Sequence, residues 1–160
     1  MSIPFGNYIL DIYYGSMDMG DYCEHLYYRL DFKTVDNVPI VSIPIYDAEY
    51  NTLLECMEYL PEYCYFIFEC PPSEMLTHYQ ICAEYITDDD GYEIPNTMGL
   101  SNACPRVMPY GDSDYIRIMI VKQSYPLGKD EIVFDTKMTH EQFFNVWKYM
   151  EGSWAEEYAS

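Results

Sequence analysis

The chain has 160 residues and a mass of 18.9 kDa, and its 27 acidic against 8 basic side chains give a formal net charge of −19. This charge argues against direct binding to nucleic-acid phosphates, anionic membrane surfaces or acidic substrates, because each of them would repel the chain. Hydrophobic residues make up 49% of the chain and aromatic residues 18%, which excludes a disordered acidic tail and predicts a folded domain with a substantial core.

The expected location of the chain follows from its ends and its cysteines. No segment approaches the 18 consecutive apolar residues that a transmembrane helix needs. The first residues lack the basic region of a signal peptide, so we expect none. The sequence therefore predicts a cytoplasmic protein with reduced cysteines, although a secreted protein could pair all six in three disulfides. The six are Cys23, Cys56, Cys64, Cys70, Cys82 and Cys104.

The first part of the chain is predicted to form strands. Apolar and polar residues alternate over Tyr22–Lys33, which is typical of a strand with one solvated face, and Phe5–Tyr14 is a second candidate strand. The segment 15–21 between them has glycine at both of its ends and predicts a hairpin. Val38–Tyr46 is apolar but contains two prolines, so we expect an edge strand or an extended arm.

A helix is predicted after these strands. Asp47 can cap its N-terminus, and Pro61 should end it at about Leu60. The apolar residues of this segment recur at helical spacing, which predicts one buried face. They are Tyr50, Leu53, Leu54, Met57 and Leu60.

The second half alternates predicted strands with one helix. The nearly all-apolar run over Tyr63–Cys70 is typical of a central strand buried on both faces. Thr139 and Gln142 match a capping box at the start of a helix, and Gly152 is a candidate for its end. The other predicted elements are a strand over Tyr79–Thr87, a turn at Asp88–Gly91 leading into Tyr92–Ile94, a loop over 95–113, and strands over Tyr115–Val121 and Glu131–Phe134.

Together these elements predict an α+β fold. We expect a single domain over residues 1–160, with a mostly antiparallel sheet of about six or seven strands and two main helices. The loop over 95–113 is rich in Pro, Gly, Asn and Ser, and it is the place where a domain boundary could fall.

The sequence offers no recognisable catalytic or metal motif. It has no Gly-rich phosphate loop, no G-x-S-x-G and no C-x-x-C pair. The acidic turn at Asp88–Asp90 lacks the acid that a calcium loop would require at Ile86. Cys23 and His25 lie two residues apart, so a catalytic pair remains an alternative to a surface histidine. The prediction is a protein that is not an enzyme and has no catalytic residue, cofactor or bound metal.

The informative feature is the distribution of charge along the chain. Residues 34–105 contain 13 acids and no Lys or Arg. On the predicted helix, Glu55 and Glu58 point outward near the C-terminal end and Glu62 follows, although the helix dipole disfavours negative charge there. Local stability would favour Lys at these positions. Either the organism or its habitat favours acidic proteins in general, or a basic partner binds this row of acids, with Tyr59 as a contact for Arg.

The leading hypothesis is a non-enzymatic inhibitor from a phage or mobile element. It would bind a basic nucleic-acid-handling defence protein by mimicking nucleic-acid charge, as anti-restriction and anti-CRISPR proteins do, which this chain resembles in size and charge. An immunity or antitoxin protein bound to a basic toxin, and a small-molecule-binding α+β module, are the alternatives. The identity of the target and the oligomeric state stay open. The predicted partner-binding residues are Glu49, Glu55, Glu58, Tyr59, Glu62, Asp88, Asp89, Asp90 and Glu93.

Overall fold

The computed structural model of the chain describes residues 2–18, 24–70, 77–86, 113–124 and 131–159. The predicted turn after residue 87, the strand that would follow it, and the loop over 95–112 lie outside these residues. In the described ranges the chain forms eight strands and three helices. The strands are β1 (Ser2–Phe5), β2 (Tyr8–Asp18), β3 (Glu24–Thr34), β4 (Pro39–Tyr46), β5 (Tyr65–Glu69), β6 (Thr77–Ile86), β7 (Tyr115–Ser124) and β8 (Glu131–Met138); the helices are α1 (Asp47–Glu58), α2 (Leu60–Tyr63) and α3 (His140–Ala159).

The strands form two antiparallel sheets of four, in the orders β1-β2-β3-β4 and β5-β6-β7-β8. The predicted α+β class and the antiparallel pairing are confirmed. The prediction of one sheet with six or seven strands is wrong in detail, because the chain begins a second sheet after α1 and α2. The two main helices are α1 and α3, and α2 is a single turn. β4 lies at an edge, as predicted from its two prolines, which cannot donate a backbone hydrogen bond.

The segment predicted as one strand over Phe5–Tyr14 contains the turn of the hairpin formed by β1 and β2. Gly6 and Asn7 form its turn, so that Phe5 pairs with Tyr8. Gly6 has a φ of 61°, which glycine adopts without steric cost. The turn also contacts the second sheet, since the backbone N–H of Asn7 donates to the Thr136 hydroxyl of β8 at 3.0 Å.

Replacing Gly6 by Ala should destabilise the protein by about 2 kcal/mol or more, because a Cβ there would be held at positive φ and would overlap the Thr136 side chain. Gly152→Ala is the matched control. Gly152 lies inside α3 with open space around it, so this change should stabilise by about 0.5–1 kcal/mol. Urea denaturation measures both values. Equal stability of Gly6→Ala and the wild type would contradict the close packing of this turn against β8.

One hydrophobic cluster contains buried residues from both sheets and from all three helices. Phe134 of β8 is at its centre, with ring centroids 6.2 Å from Phe5, 4.5 Å from Tyr8 and 5.1 Å from Phe32. The predicted alternation on β3 is confirmed, because Tyr28, Leu30 and Phe32 are all buried.

The prediction of a central strand over Tyr63–Cys70 is wrong. The strand β5 begins at Tyr65 and lies at the edge of its sheet, and β6 and β7 take the centre. Only alternate side chains of β5, Phe66 and Phe68, enter the main core. The strand therefore has two different faces, which a continuous apolar run does not reveal.

The ends of the predicted helices also differ from the structure. The N-cap position of α1 is Tyr46 rather than Asp47, and no side chain caps it. The end predicted at about Leu60 falls two residues after the observed end of α1 at Glu58. Pro61 itself lies in the first turn of α2, where a missing backbone N–H breaks no helical hydrogen bond. The cap of α3 is confirmed, with the backbone N–H of Gln142 donating to the Thr139 hydroxyl at 3.1 Å. The helix continues through Gly152 to Ala159, since one glycine costs a helix only about 1 kcal/mol.

Candidate partner-binding surface

Aromatic side chains fix the position of α1 through contacts with β3 and α3. The Tyr50 ring stacks on Tyr28 of β3 with centroids 3.7 Å apart, and its hydroxyl donates to the Met150 carbonyl of α3 at 2.7 Å. The Trp147 indole N–H donates to the Leu54 carbonyl at 3.2 Å. Burial raises the pKa of Tyr50 far above its ordinary value, so this hydroxyl keeps its proton. These contacts hold α1 between β3 and α3 and direct its other side outward.

The outward side of the helical segment carries an acidic and aromatic patch. We define the acidic helical surface as the exposed residues Glu55, Glu58, Tyr59, Glu62 and Tyr63. The two tyrosines are 48% and 64% exposed. The predicted outward orientation of Glu55 and Glu58 is observed. Tyr63 was missed, because the apolar run that follows it placed it in a buried strand, whereas Pro61 starts a helical turn that exposes it.

Two basic side chains of the first sheet are paired with acids of the same sheet. On β3, Arg29 pairs with Asp31 at 2.9 Å, and Lys33 pairs with Asp11 of β2 at 2.6 Å. Burial opposes ionisation of Asp11, but hydrogen bonds from Lys33 and Ser2 and the charge of Lys33 outweigh it and hold the pKa below its usual value. The outer face of this sheet therefore carries charges of both signs in close pairs.

A basic side chain of the second sheet is paired in the same way. Arg117 of β7 is only 8% exposed, and it donates to Asp135 of β8 at 3.0 Å and to Glu84 of β6 at 3.4 Å. At the edge of this sheet, His78 contacts the Glu69 carboxylate at 2.8 Å. Arg29, Lys33 and Arg117 are thus each paired with acids of their own sheet.

The acidic helical surface has no base of its own. The segment 47–63 contains five acids and no base, and within the described part of the chain Glu55, Glu58 and Glu62 take part in no ion pair. Glu55 and Glu58 lie one helical turn apart near the C-terminal end of α1, where the dipole disfavours negative charge by about 0.3–1 kcal/mol. The fold leaves this charge uncompensated.

A groove of about 440 Å³ beside these carboxylates is lined mainly by aromatic rings. Tyr59, Tyr63 and Tyr65 contribute side chains to it, and Glu55 supplies a carboxylate. Rings and a carboxylate at one site suit a guanidinium group, which stacks on aromatic faces and forms two parallel hydrogen bonds with an acid. Cys56 also borders the groove, and burial raises the pKa of its thiol, so it stays protonated at neutral pH.

Glu49, another predicted site residue, does not join this surface. Glu49 lies in the first turn of α1 and is half-buried. At about 100° per residue, it is roughly 180° around the helix from Glu58. Asp88, Asp89, Asp90 and Glu93 lie outside the described residues.

The described residues show no arrangement that would hold a metal ion. Cys70 is buried, and burial raises the pKa of its thiol to about 12, which makes it a poor nucleophile. The proposed pair of Cys23 and His25 lies outside the part of the chain whose side chains are described. No described helix combines the length and the apolar character that crossing a bilayer demands.

Comparison with known proteins gives a likeness in fold. No protein-family model and no curated protein matches the chain. The solved structure of the plant transcriptional regulator PBF-2 is similar, with a TM-score of 0.50 and 12% sequence identity over 97% of this chain and 79% of that one. At this identity the similarity concerns the arrangement of sheets and helices alone.

Proposed function

We propose that the chain is a non-enzymatic inhibitor that binds a basic nucleic-acid-handling protein through the acidic helical surface. The observation that carries this proposal is the contrast in charge pairing. The sheets pair Arg29, Lys33 and Arg117 with their own acids, while Glu55, Glu58 and Glu62 are exposed and in no ion pair within the described residues. A cationic partner supplies the positive charges with which these carboxylates pair.

The physical basis of recognition is charge followed by aromatic contact. A net charge of −19 accelerates encounter with a basic protein by about 10- to 10³-fold at low salt. After encounter, Arg side chains of the partner pair with the carboxylates and stack on Tyr59 and Tyr63. Such charge-assisted hydrogen bonds are about twice as strong as neutral ones and favour Arg over Lys.

Inhibition follows from competition for one site. A protein that handles nucleic acid holds phosphates with Lys and Arg along a groove, and duplex DNA presents one charge per about 1.7 Å of its axis. A folded acidic chain seated on those bases blocks the entry of nucleic acid. The chain itself does not bind DNA in this proposal, and its fold likeness to a transcriptional regulator does not change that, because its charge repels phosphates.

The biological setting of the proposal is a phage or mobile element acting on a host defence nuclease in the cytoplasm. The chain acts as one domain, supported by the main core cluster, which contains residues of both sheets. An immunity or antitoxin protein would use the same surface against a basic toxin. The gene beside it distinguishes the two, since a toxin gene accompanies an immunity protein and phage genes accompany an inhibitor.

The test is capture of the partner followed by competition with DNA. The immobilised chain is incubated with host lysate at about 0.05 M salt, where electrostatic attraction is weakly screened. We expect a basic nucleic-acid-handling protein to be retained, released by moderate salt, and displaced by added duplex DNA. Retention that neither salt nor DNA reduces would contradict the proposal.

A further inference from the structure

An apolar groove lies between α3 and the helical segment that α1 and α2 form. Its volume is about 430 Å³, which falls within the range of about 300–1,000 Å³ usual for ligand pockets. The floor is formed by Tyr85 of β6 and Ile116 of β7, and Phe144 and Trp147 of α3 form one wall. Met57 and Pro61 line the opposite side. The groove therefore borders the acidic helical surface directly.

The α3 wall presents apolar surface to solvent. Phe144 is 53% exposed and stacks on Trp147 with ring centroids 5.9 Å apart. The Trp147 indole N–H is already bonded to the Leu54 carbonyl, so the ring offers its faces rather than a free donor. A large exposed aromatic ring beside an apolar groove is typical of a binding site rather than of an ordinary surface.

The charges around the groove select its occupant. Glu58 contributes a carboxylate to the lining and also belongs to the acidic helical surface. His140 lines the groove as well, and burial lowers its pKa, so it is mostly neutral at pH 7. Lys148 lies over the Phe144 ring at 5.8 Å and places one positive charge near the α3 rim. The rim thus carries the acid Glu58 on the α1–α2 side, and Lys148 together with the exposed acids Glu141 and Glu151 on α3.

We infer that this groove receives an apolar side chain from an amphipathic basic segment of the partner. The inference rests on the proposed function and names the segment that the partner would use. An apolar ligand alone would leave Glu58 without a role, and a purely cationic segment would leave Phe144 and Trp147 without one. A segment with an apolar stripe beside Arg or Lys residues fits both, with the basic residues toward Glu58 and away from Lys148.

Binding of this kind divides recognition between two neighbouring areas. The acidic helical surface provides attraction and register, while the groove provides a desolvated anchor of the type that dominates binding energy at interfaces. Each area can be altered separately, because Phe144 lies on α3 and Glu55 and Glu62 lie on the helical segment.

The test uses three labelled peptides as probes. The first is an amphipathic peptide of about 16 residues with Leu at helical spacing and Arg elsewhere. The second has the same composition with the Leu residues scrambled, and the third is octa-arginine. Peptide anisotropy measures affinity. In the Trp154→Phe background Trp147 is the one remaining tryptophan, so its emission reports on the groove.

We expect the amphipathic peptide to bind about 10-fold more tightly than its scrambled form and to shift the emission of Trp147. The variant Phe144→Ala should remove this preference and leave octa-arginine binding unchanged. Tyr13→Ala is the matched control, because Tyr13 is a similarly exposed ring, at 49%, on the outer face of the first sheet. It should bind all three peptides like the wild type.

The outcomes separate this inference from the proposed function. Equal binding of the striped and scrambled peptides, with both weakened by removal of the Glu55, Glu58 and Glu62 charges, would overturn the groove inference and leave the proposed function standing. Peptide binding that depends on Phe144 but not on these charges would show that the groove does not select a basic segment, and it would overturn the inference. A dimer in sedimentation that Phe144→Ala dissociates would assign the groove to a second copy of the chain and overturn the inference.

Discussion

Replacing Glu55, Glu58 and Glu62 together by Lys should reduce affinity for the captured basic partner by about 100-fold or more. Each change turns an attraction into a repulsion, and like charges brought together at an interface cost several kcal/mol. Titration calorimetry at about 0.1 M salt, where the screening length is about 10 Å, measures the loss. Binding of the reversed variant with wild-type affinity would contradict the assigned surface.

The same variant should keep its stability. These three side chains are exposed and in no ion pair among the described residues, so their replacement removes no contact of the fold. Lys near the C-terminal end of α1 is favoured by the dipole, and a small rise in melting temperature is expected. A loss of binding with unchanged or increased stability shows that the acids serve recognition rather than folding.

Replacing Tyr50 by Ala should destabilise the protein by about 3–5 kcal/mol, as large aromatic deletions in a core do. The change removes the stack on Tyr28 and the hydrogen bond to the Met150 carbonyl, and these contacts hold α1 between β3 and α3. For a chain of this size, each kcal/mol corresponds to a fall in melting temperature of about 2–4 °C. Thermal unfolding followed by circular dichroism measures the shift.

Two further variants control for this effect. Tyr50→Phe keeps the ring and loses only the hydroxyl, so it should cost about 1 kcal/mol. Tyr13→Ala removes a ring that is half exposed on the first sheet and should cost much less than Tyr50→Ala. A loss below about 1 kcal/mol for Tyr50→Ala would show that α1 is not held by this contact.

Some of the fold could be predicted because local patterns decided it. The alternation on β3, the inward stripe of α1 and the Thr139 cap of α3 each depend on neighbouring residues alone, and the structure confirms them. The edge position of β4 followed from two prolines that cannot donate hydrogen bonds.

Other features depend on contacts between distant residues. The turn at Gly6 is packed against Thr136, which comes 130 residues later in the chain, and no residue near Gly6 indicates this contact. The run after Tyr63 is apolar on every residue, so it could not show that β5 is an edge strand with two different faces.

The candidate surface could be predicted only where it depends on neighbouring residues. The outward direction of Glu55 and Glu58 followed from helical spacing, but their lack of ion pairs could not, because it depends on which acids the bases of β3 and β7 reach. The exposure of Tyr63 required the helical turn that begins near Pro61. The groove beside α3 combines residues from five elements that no motif links.

The central claim is that charge at the acidic helical surface, rather than net charge, binds the partner. Two double variants with the same net charge test it: Glu55→Gln with Glu62→Gln, and Asp36→Asn with Glu131→Gln, which changes exposed acids of the β3–β4 connection and of β8. The measurement is the affinity of each variant for the captured partner. The first should bind about 10-fold or more weakly than the wild type and the second within about 2-fold. Equal losses in the two variants would contradict the claim.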